Sequence, residues 1–209
     1  MRRHPILGCA LMILLLATCS WPATIQLASP PLGSARGGAR LSVVEAPPLR
    51  YPDDTRSAFS WAPQPPSFPT SATVRFSVVD QYRPEPNPWE VAWVVLGDEQ
   101  WFIAFLPKPN GWHVELVDAR AEPSQRFLLS GTSPAYPVGE PITVHIAAQH
   151  NGIEISADSQ RTRDGRTETI RLATFIGWTQ QRPPPAWWGE PMKAGIYVED
   201  CTAELEWER

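Results

Sequence analysis

The residues best suited to chemistry lie in a proline-rich loop near the carboxyl end of the chain. Tryptophans stand there with amide and guanidinium side chains: Trp178, Gln180, Gln181, Arg182, Trp187 and Trp188. Flat indole faces stack on the apolar faces of sugar rings, and the polar groups can hydrogen-bond to sugar hydroxyls. The loop is therefore a candidate carbohydrate contact. The alternative is that Trp187 or Trp188 folds back and caps an open end of its own domain.

The sequence contains no convincing pair of catalytic carboxylates. The closest approach is Glu115 with Asp118, whose spacing in a strand points the two side chains to opposite faces. A retaining glycosidase of this kind needs two carboxyl groups about 5–5.5 Å apart that flank the scissile bond, which requires both to lie on one face of the strand. We therefore expect both acids to be solvated surface residues, and we assign no catalytic residue.

The histidines of the domain are too scattered to form a metal site. His113, His145 and His150 form no close pair with another ligand at the spacing typical of zinc sites. We expect each to be a surface or half-buried strand residue. Ser130 and Ser133 also lack the strand-to-helix context of a catalytic nucleophile.

Two adjacent acids offer hard oxygen ligands for calcium. Glu199 and Asp200 directly follow a predicted strand, and Asp80 or a backbone carbonyl from a neighbouring strand could add to them. Calcium takes about six to eight oxygen ligands, more than the sequence identifies. The prediction is a structural calcium ion at Glu199 and Asp200, and the alternative is an edge turn with solvated acids.

The first residues have the pattern of an export signal. A basic start, Met1 to Pro5, precedes an apolar run from Ile6 to Ala17 that is too short to span a bilayer. We predict a signal peptide over residues 1–23 and an extracellular or cell-envelope location. Leu16 to Cys19 resembles a bacterial lipobox, so Cys19 is a candidate lipidation site and the only expected membrane contact. Ordinary cleavage near Ala17 to Ala23 is the alternative.

Composition favours one exported domain without nucleic-acid partners. The 209 residues leave room for a flexible linker over 24–40 and a single domain over 41–209. Charged residues make up 19% and the net charge is -4, so the chain lacks the basic field that binding to phosphates requires. Cys201 is the one cysteine of the predicted domain, and we expect a buried thiol.

Short apolar runs separated by Gly, Pro, Asn or Asp predict an all-β, two-sheet antiparallel jelly-roll sandwich. The clearest hairpin runs from Glu90 to Leu106, and Asn110-Gly111 and Asn151-Gly152 predict type I′ turns. A first strand is predicted at Leu41 to Glu45, followed by an irregular wrap over Pro47 to Pro69. Further strands are predicted at Thr73 to Val79, Trp89 to Leu96, Gln100 to Leu106, Trp112 to Val117, Arg126 to Leu129, Ile142 to Ala148, Ile153 to Ala157, Glu168 to Thr174, Ala194 to Val198 and Ala203 to Trp207.

Several segments resemble bacterial domains of the concanavalin A-like lectin/glucanase fold. They are Trp89 to Trp93, Asn110 to Trp112, Gln125 to Leu128, the Pro137 to Gly139 turn before Ile142, and Gly195 to Asp200. The nearest relatives are laminin-G-like jelly rolls and the 3-keto-disaccharide hydrolase type. The resemblance implies carbohydrate binding or processing, often with a structural calcium ion. The Glu-x-Asp-x-x-Glu strand of the glucanase branch is absent, and the loop from Ile176 to Met192 departs from the expected short turn.

These observations predict an exported, lectin-like domain that binds a polysaccharide or oligosaccharide through Trp178, Trp187 and Trp188, with Gln180, Gln181 and Arg182 as polar partners. One alternative is a hydrolase or lyase of the same fold that acts on glycosidic linkages or sugar derivatives. A second alternative is a structural module whose proline-rich loop contacts another envelope protein. The oligomeric state is left open.

Overall fold

Runs of β-branched and aromatic residues form twelve strands in the computed structural model of the chain. The structure describes residues 40–42, 57–81, 92–199 and 201–208. Within these ranges no helix is long and apolar enough to cross a membrane. The strands are β1 (Arg40–Ser42), β2 (Ser57–Trp61), β3 (Thr70–Gln81), β4 (Ala92–Gly97), β5 (Trp101–Lys108), β6 (Gly111–Asp118), β7 (Gln125–Gly131), β8 (Ile142–Gln149), β9 (Gly152–Arg163), β10 (Arg166–Gly177), β11 (Lys193–Glu199) and β12 (Cys201–Trp207).

The strands form two antiparallel sheets of six strands each. Sheet A has the order β1-β12-β3-β8-β9-β10, and sheet B has the order β2-β11-β4-β5-β6-β7. Strands distant in sequence, such as β12 and β3 or β11 and β4, lie side by side, and the facing sides of the sheets share one hydrophobic core. The predicted all-β, two-sheet antiparallel jelly-roll sandwich is confirmed.

Sheet A has one buried face and one face open to solvent. Along β8, Ile142, Val144 and Ile146 are buried, whereas Thr143 and His145 between them are partly exposed. This alternation is typical of a strand with one core face and one solvent face. The buried side chains of sheet A pack on the inner face of sheet B.

The central strands of sheet B, β4 to β6, are buried on both faces. Val94, Ile103 and Phe105 belong to the core shared with sheet A. The residues that alternate with them form a second cluster on the opposite face, which we call the outer cluster: Trp93, Val95, Phe102, Ala104, Leu106, Val117 and Tyr197. For this reason β4 and β5 read as continuous apolar runs rather than as alternating ones.

Two local predictions are wrong. Residues 57–61, expected to be irregular, form edge strand β2, because this stretch contains no proline and pairs with β11. The hairpins at Asn110-Gly111 and Asn151-Gly152 do form, but neither asparagine has the positive φ that a type I′ turn requires. Gly111 has φ 133° instead, and this position requires glycine because a Cβ would collide with the Gly131 carbonyl.

The signal peptide, the linker over 24–39 and Cys19 lie outside the described residues, as do positions 43–45 of the predicted first strand.

Trp101 and Trp112 lie in the shared core, and Trp93 lies in the outer cluster. Cys201 is buried, as predicted, with 3% exposure.

Candidate functional site

The tryptophan loop, residues 178–192 between β10 and β11, closes one end of the sandwich. The Trp187 ring is 1% exposed and stacks on Trp101, with ring centroids 4.5 Å apart. Its Nε1–H donates a hydrogen bond to Asp118 Oδ2 at 3.0 Å. Trp187 therefore exposes no ring face to a ligand in this structure. It caps an open end of its own domain, which was the alternative to a carbohydrate contact.

Asp118 is part of this closure, contrary to the expectation of a solvated acid. It is 9% exposed, and its Oδ1 accepts hydrogen bonds from the backbone N–H of Arg120 at 3.0 Å and from Arg120 Nε at 3.1 Å. Burial alone would raise the pKa of Asp118, but the hydrogen bonds from Arg120 and Trp187 outweigh it and hold the pKa below its ordinary value. The loop is thus fastened to the end of β6 by a charge-assisted network.

Trp178 and Trp188 are half-buried and meet edge to face, with ring centroids 4.8 Å apart. Trp188 Nε1 donates a hydrogen bond to the carbonyl of Gln149 at 3.2 Å. The Trp188 ring also meets the Phe68 ring edge to face, with ring centroids 5.6 Å apart. Trp178 Nε1 is buried and has no hydrogen-bond partner among the described residues. Both rings keep part of their surface open to solvent, unlike Trp187.

The polar residues of the loop divide into an anchor and two exposed amides. Arg182 donates to the carbonyl of Gly177 at 3.1 Å and to that of Leu128 at 3.4 Å, so it ties the loop to β7. Gln180 and Gln181 are exposed. The structure therefore brings the predicted site residues together around one loop, but it gives Arg182 a structural role.

A second region, which was not predicted from the sequence, is a groove of about 640 Å³ on the outer face of sheet B. It lies where the turn between β5 and β6 meets edge strand β7. We call it the edge groove. Its walls are Lys108, Asn110, Trp112, His113, Phe127, Ser130, Gly131 and Thr132. Phe127 is 62% exposed, more than any other large hydrophobic residue among those described. The edge groove thus combines an exposed aromatic ring with amide, hydroxyl and ammonium groups.

A β-bulge turns Phe127 toward the edge groove. Val114 lies opposite Leu129, but the next residue, Glu115, lies opposite Phe127, so that Leu128 is the extra residue. In an unbroken register Phe127 would pair with Leu116 and point into the core. The bulge moves Phe127 to the outer face, where its ring meets the His113 ring edge to face at 5.3 Å.

A buried acid lies behind the wall of the edge groove. Glu115 is 1% exposed, and its Oε2 lies 3.4 Å from Nε2 of His113, which is 2% exposed. Glu115 Oε1 is buried without a hydrogen-bond partner among the described residues. The expectation that Glu115 and His113 are surface residues is wrong, because both project into the apolar outer face of sheet B. Glu115 and Asp118 do point to opposite faces, as predicted.

Lys108 lies on the same side of sheet B as Glu115. Partial burial lowers the pKa of the Lys108 ammonium, and attraction to Glu115 opposes this shift. The negative charge of Glu115 therefore acts on the cation that lines the edge groove. The groove is thus lined by an ammonium and an imidazole, with a buried carboxylate behind its wall.

The predicted calcium ligands cannot be placed in full. Asp200 and the side chains of Asp80 and Glu199 lie outside the described residues, although the backbone register sets Asp80 opposite Thr202. Within the described ranges, no group of three or more His, Cys, Asp and Glu side chains is arranged to hold a metal ion. Calcium at Glu199 and Asp200 stays a prediction.

Sequence reasoning missed the edge groove for a physical reason. The residue types from Gln125 to Leu129 do not indicate that a β-bulge lies there. The contact between Glu115 and His113 depends on both side chains lying on the same face of β6. The one available signal was their i, i+2 spacing, which places both on the same side of a strand.

No family model matches the chain, and no curated protein matches it. Among solved structures, the chain is similar to the lectin UEA-II complexed with galactose, at 11% identity and a TM-score of 0.42, over 83% of this chain and 86% of that one. The exoplasmic/lumenal domain of VIP36 in its Ca²⁺- and mannose-bound form matches at 10% identity and a TM-score of 0.41, over 82% of each chain.

A xylan β-1,4-xylosidase from Bacillus halodurans C-125 matches at 9% identity and a TM-score of 0.40, over 68% of this chain and 28% of that one. By name these are a lectin, a mannose-bound lumenal domain and a xylosidase, and the 3-keto-disaccharide hydrolase type stays a prediction. At such low identities and TM-scores the likeness assigns no activity to this chain.

Proposed function

We propose that the chain is an exported carbohydrate-binding β-sandwich domain and that its ligand lies in the edge groove. The observation that carries this proposal is the Phe127 ring, 62% exposed among polar groups. An exposed aromatic ring at a concave surface, with hydrogen-bonding groups around it, gives a ligand both a face on which to stack and partners for its polar atoms.

The groups around Phe127 match the chemistry of a sugar. The C–H face of a pyranose ring stacks on an aromatic ring, and its hydroxyls both donate and accept hydrogen bonds. Asn110, Ser130 and Thr132 supply donors and acceptors, and Lys108 supplies a donor. Trp112 is buried and donates its Nε1–H to the carbonyl of Ser133, so it forms a rigid wall rather than a stacking face.

The tryptophan loop is a second proposed contact. Arg182 binds the Leu128 carbonyl and Arg126 binds the Pro183 carbonyl, so the loop adjoins β7, the strand that carries Phe127. The partly open rings of Trp178 and Trp188 and the exposed amides of Gln180 and Gln181 are available to a polymer that extends beyond the edge groove. Trp187 supports this surface from beneath. Export, lipidation at Cys19 and calcium binding stay predictions beside this proposal.

The test is a depletion assay of the purified protein against a panel of insoluble polysaccharides, with Phe127→Ala as the main variant. Phe175→Ala is the matched control, because Phe175 is 50% exposed on the solvent face of sheet A. We expect retention on at least one polymer, a loss of tenfold or more in Phe127→Ala, and little change in Phe175→Ala. Equal retention of Phe127→Ala and wild type, or no retention on any polymer, would overturn the proposal.

A second candidate function is a carbohydrate-active enzyme, a hydrolase or lyase, in the same groove. The buried contact of Glu115 with His113 favours it, since Glu115 Oε2 lies 3.4 Å from His113 Nε2, and carboxylates and imidazoles are the groups most used in general acid–base catalysis. The 3-keto-disaccharide hydrolase type is a narrower form of this candidate.

Release of new reducing ends or unsaturated products from a bound polymer would favour the enzyme. In that case Glu115→Gln should lower the turnover rate by at least tenfold while Phe127-dependent binding remains. Binding without any product would favour the lectin-like function.

A further inference from the structure

The hairpin of β9 and β10 extends beyond sheet A as a two-stranded arm. Pairing of β8 with β9 ends at Ile142 and Ser159, whereas β9 and β10 continue to pair as far as Arg163 and Arg166. Residues 160–169, which we call the arm, are all exposed. The arm therefore has no packing partner among the described strands, and its composition is not set by a core.

The two sides of the arm differ in charge. Residues directly opposite each other share a side, so Arg163 and Arg166 lie together, followed by Arg161 with Glu168. This side continues the inner face of sheet A. The other side carries uncharged residues only: Gln160, Thr162, Thr167 and Thr169. A chain with a net charge of -4 thus projects one arginine-rich side from its sandwich.

The arm neutralises these arginines only in part, because Glu168 lies opposite Arg161 and Asp164 lies beside Arg163. Two like charges directly opposite on neighbouring strands destabilise a hairpin. The nearest acid to Arg163 is Asp164, at 3.8 Å with side chains 76% and 92% exposed, a contact of little energetic weight. Arg166 has no ion-pair partner among the described residues. By contrast, Arg171 on the solvent face of sheet A binds Asp158 at 2.7 Å.

The arm and the edge groove lie at the same end of the molecule. Tyr136 connects them, because its backbone N–H donates to the Lys108 carbonyl at 2.8 Å and its hydroxyl donates to the Ala157 carbonyl at 3.4 Å. Lys108 lines the groove, and Ala157 precedes the arm on β9. The basic side of the arm therefore projects past the end of sheet B at which the groove opens.

We propose that the ligand of this domain is an acidic polysaccharide, whose carboxylate or sulfate groups bind Arg161, Arg163 and Arg166 while a more distant sugar unit of the same polymer stacks on Phe127. Planar guanidinium groups bind such oxyanions with paired hydrogen bonds. Three exposed arginines suit a polymer with spaced anionic groups better than a nucleic acid, whose binding requires many phosphate contacts. This inference rests on the proposed function and names its substrate class.

The experiment is native affinity electrophoresis of the full chain in gels that contain matched polymer pairs. Each pair has one backbone and two charge states: polygalacturonate with its methyl ester, carboxymethylcellulose with hydroxyethylcellulose, and dextran sulfate with dextran. At low salt we expect the charged member of at least one pair to bind tenfold or more tightly. The double variant Arg163→Gln, Arg166→Gln should abolish that difference, and added salt should weaken it.

The control is the double variant Arg75→Gln, Arg171→Gln, which removes the same charge from the solvent face of sheet A and should keep the difference. Equal binding of both members of every pair, or equal effects of the two double variants, would overturn the inference. Duplex DNA bound as tightly as the best acidic polymer would also overturn it. Phe127→Ala distinguishes the two proposals. If this variant still binds an acidic polymer in a way that depends on Arg163 and Arg166, the arm binds the polymer and the ligand site proposed at the edge groove is wrong.

Discussion

The tryptophan loop and the edge groove use aromatic residues in opposite ways. In the loop, Trp187 is 1% exposed, stacks on Trp101 and gives its N–H to Asp118. In the groove, Phe127 is 62% exposed on a bulged edge strand. The difference teaches that a tryptophan-rich segment contributes to the stability of the domain where the fold gives each ring a packing or hydrogen-bond partner. Phe127, which a bulge displaces to the outer face, is the ring that we propose as a binding contact.

Truncation of Trp187 should separate the two regions most clearly. Trp187→Ala removes a fully buried indole and leaves a cavity, so we expect a loss of about 3–5 kcal/mol in the free energy of unfolding. Urea unfolding followed by circular dichroism measures it. A loss below about 1 kcal/mol would mean that Trp187 is not part of the core.

Asp118→Asn should weaken the same closure in a pH-dependent way. At neutral pH the loss of charge-assisted hydrogen bonds should cost about 1.5–3 kcal/mol. Because the folded state holds the pKa of Asp118 below 3.8, its contribution is complete above that value and is lost as the pH falls through the lower folded pKa. Unfolding free energies of both proteins at pH 7, 5, 4 and 3 should therefore converge at the acid end. A constant difference down to pH 3 would contradict the shift.

Gly131→Ala tests how firmly the edge groove is built. A Cβ at position 131 would lie 2.8 Å from the Trp112 ring, which must then move. We expect a loss of about 1–3 kcal/mol from overpacking, together with weaker polysaccharide retention. Chemical denaturation and the depletion assay measure the two effects. Unchanged retention despite lower stability would indicate that the Trp112 wall does not shape the binding surface.

Phe127→Ala should have the smallest effect on stability and a large one on binding. Because the ring is mostly exposed, we expect the free energy of unfolding to change by about 0.5 kcal/mol or less. Thermal unfolding beside the depletion assay gives both values. A loss comparable to that of Trp187→Ala would show that Phe127 is a core residue, and the comparison of the two regions would fail.

Sequence patterns predicted the sheets well because burial follows strand periodicity. Val144 and Ile146 alternate with exposed residues, and the unbroken apolar run at Trp101 to Leu106 marks a strand buried on both faces. The same reasoning could not rank Trp187 against Trp188, because loop side chains follow no period. It also placed Glu115 in solvent, since the depth of the outer face depends on neighbours that β6 alone does not specify.

The stack of Trp101 on Trp187 has a consequence for optical spectroscopy. Indoles with centroids 4.5 Å apart and planes inclined by 29° have electronic transitions that couple strongly. We expect such a pair to give the far-ultraviolet circular dichroism spectrum a signature that vanishes when the two rings separate. Because the pair lies at the end of β6 that carries Asp118, and the groove opens beside Gly111 at the other end, this signal reports closure of the sandwich independently of ligand occupancy.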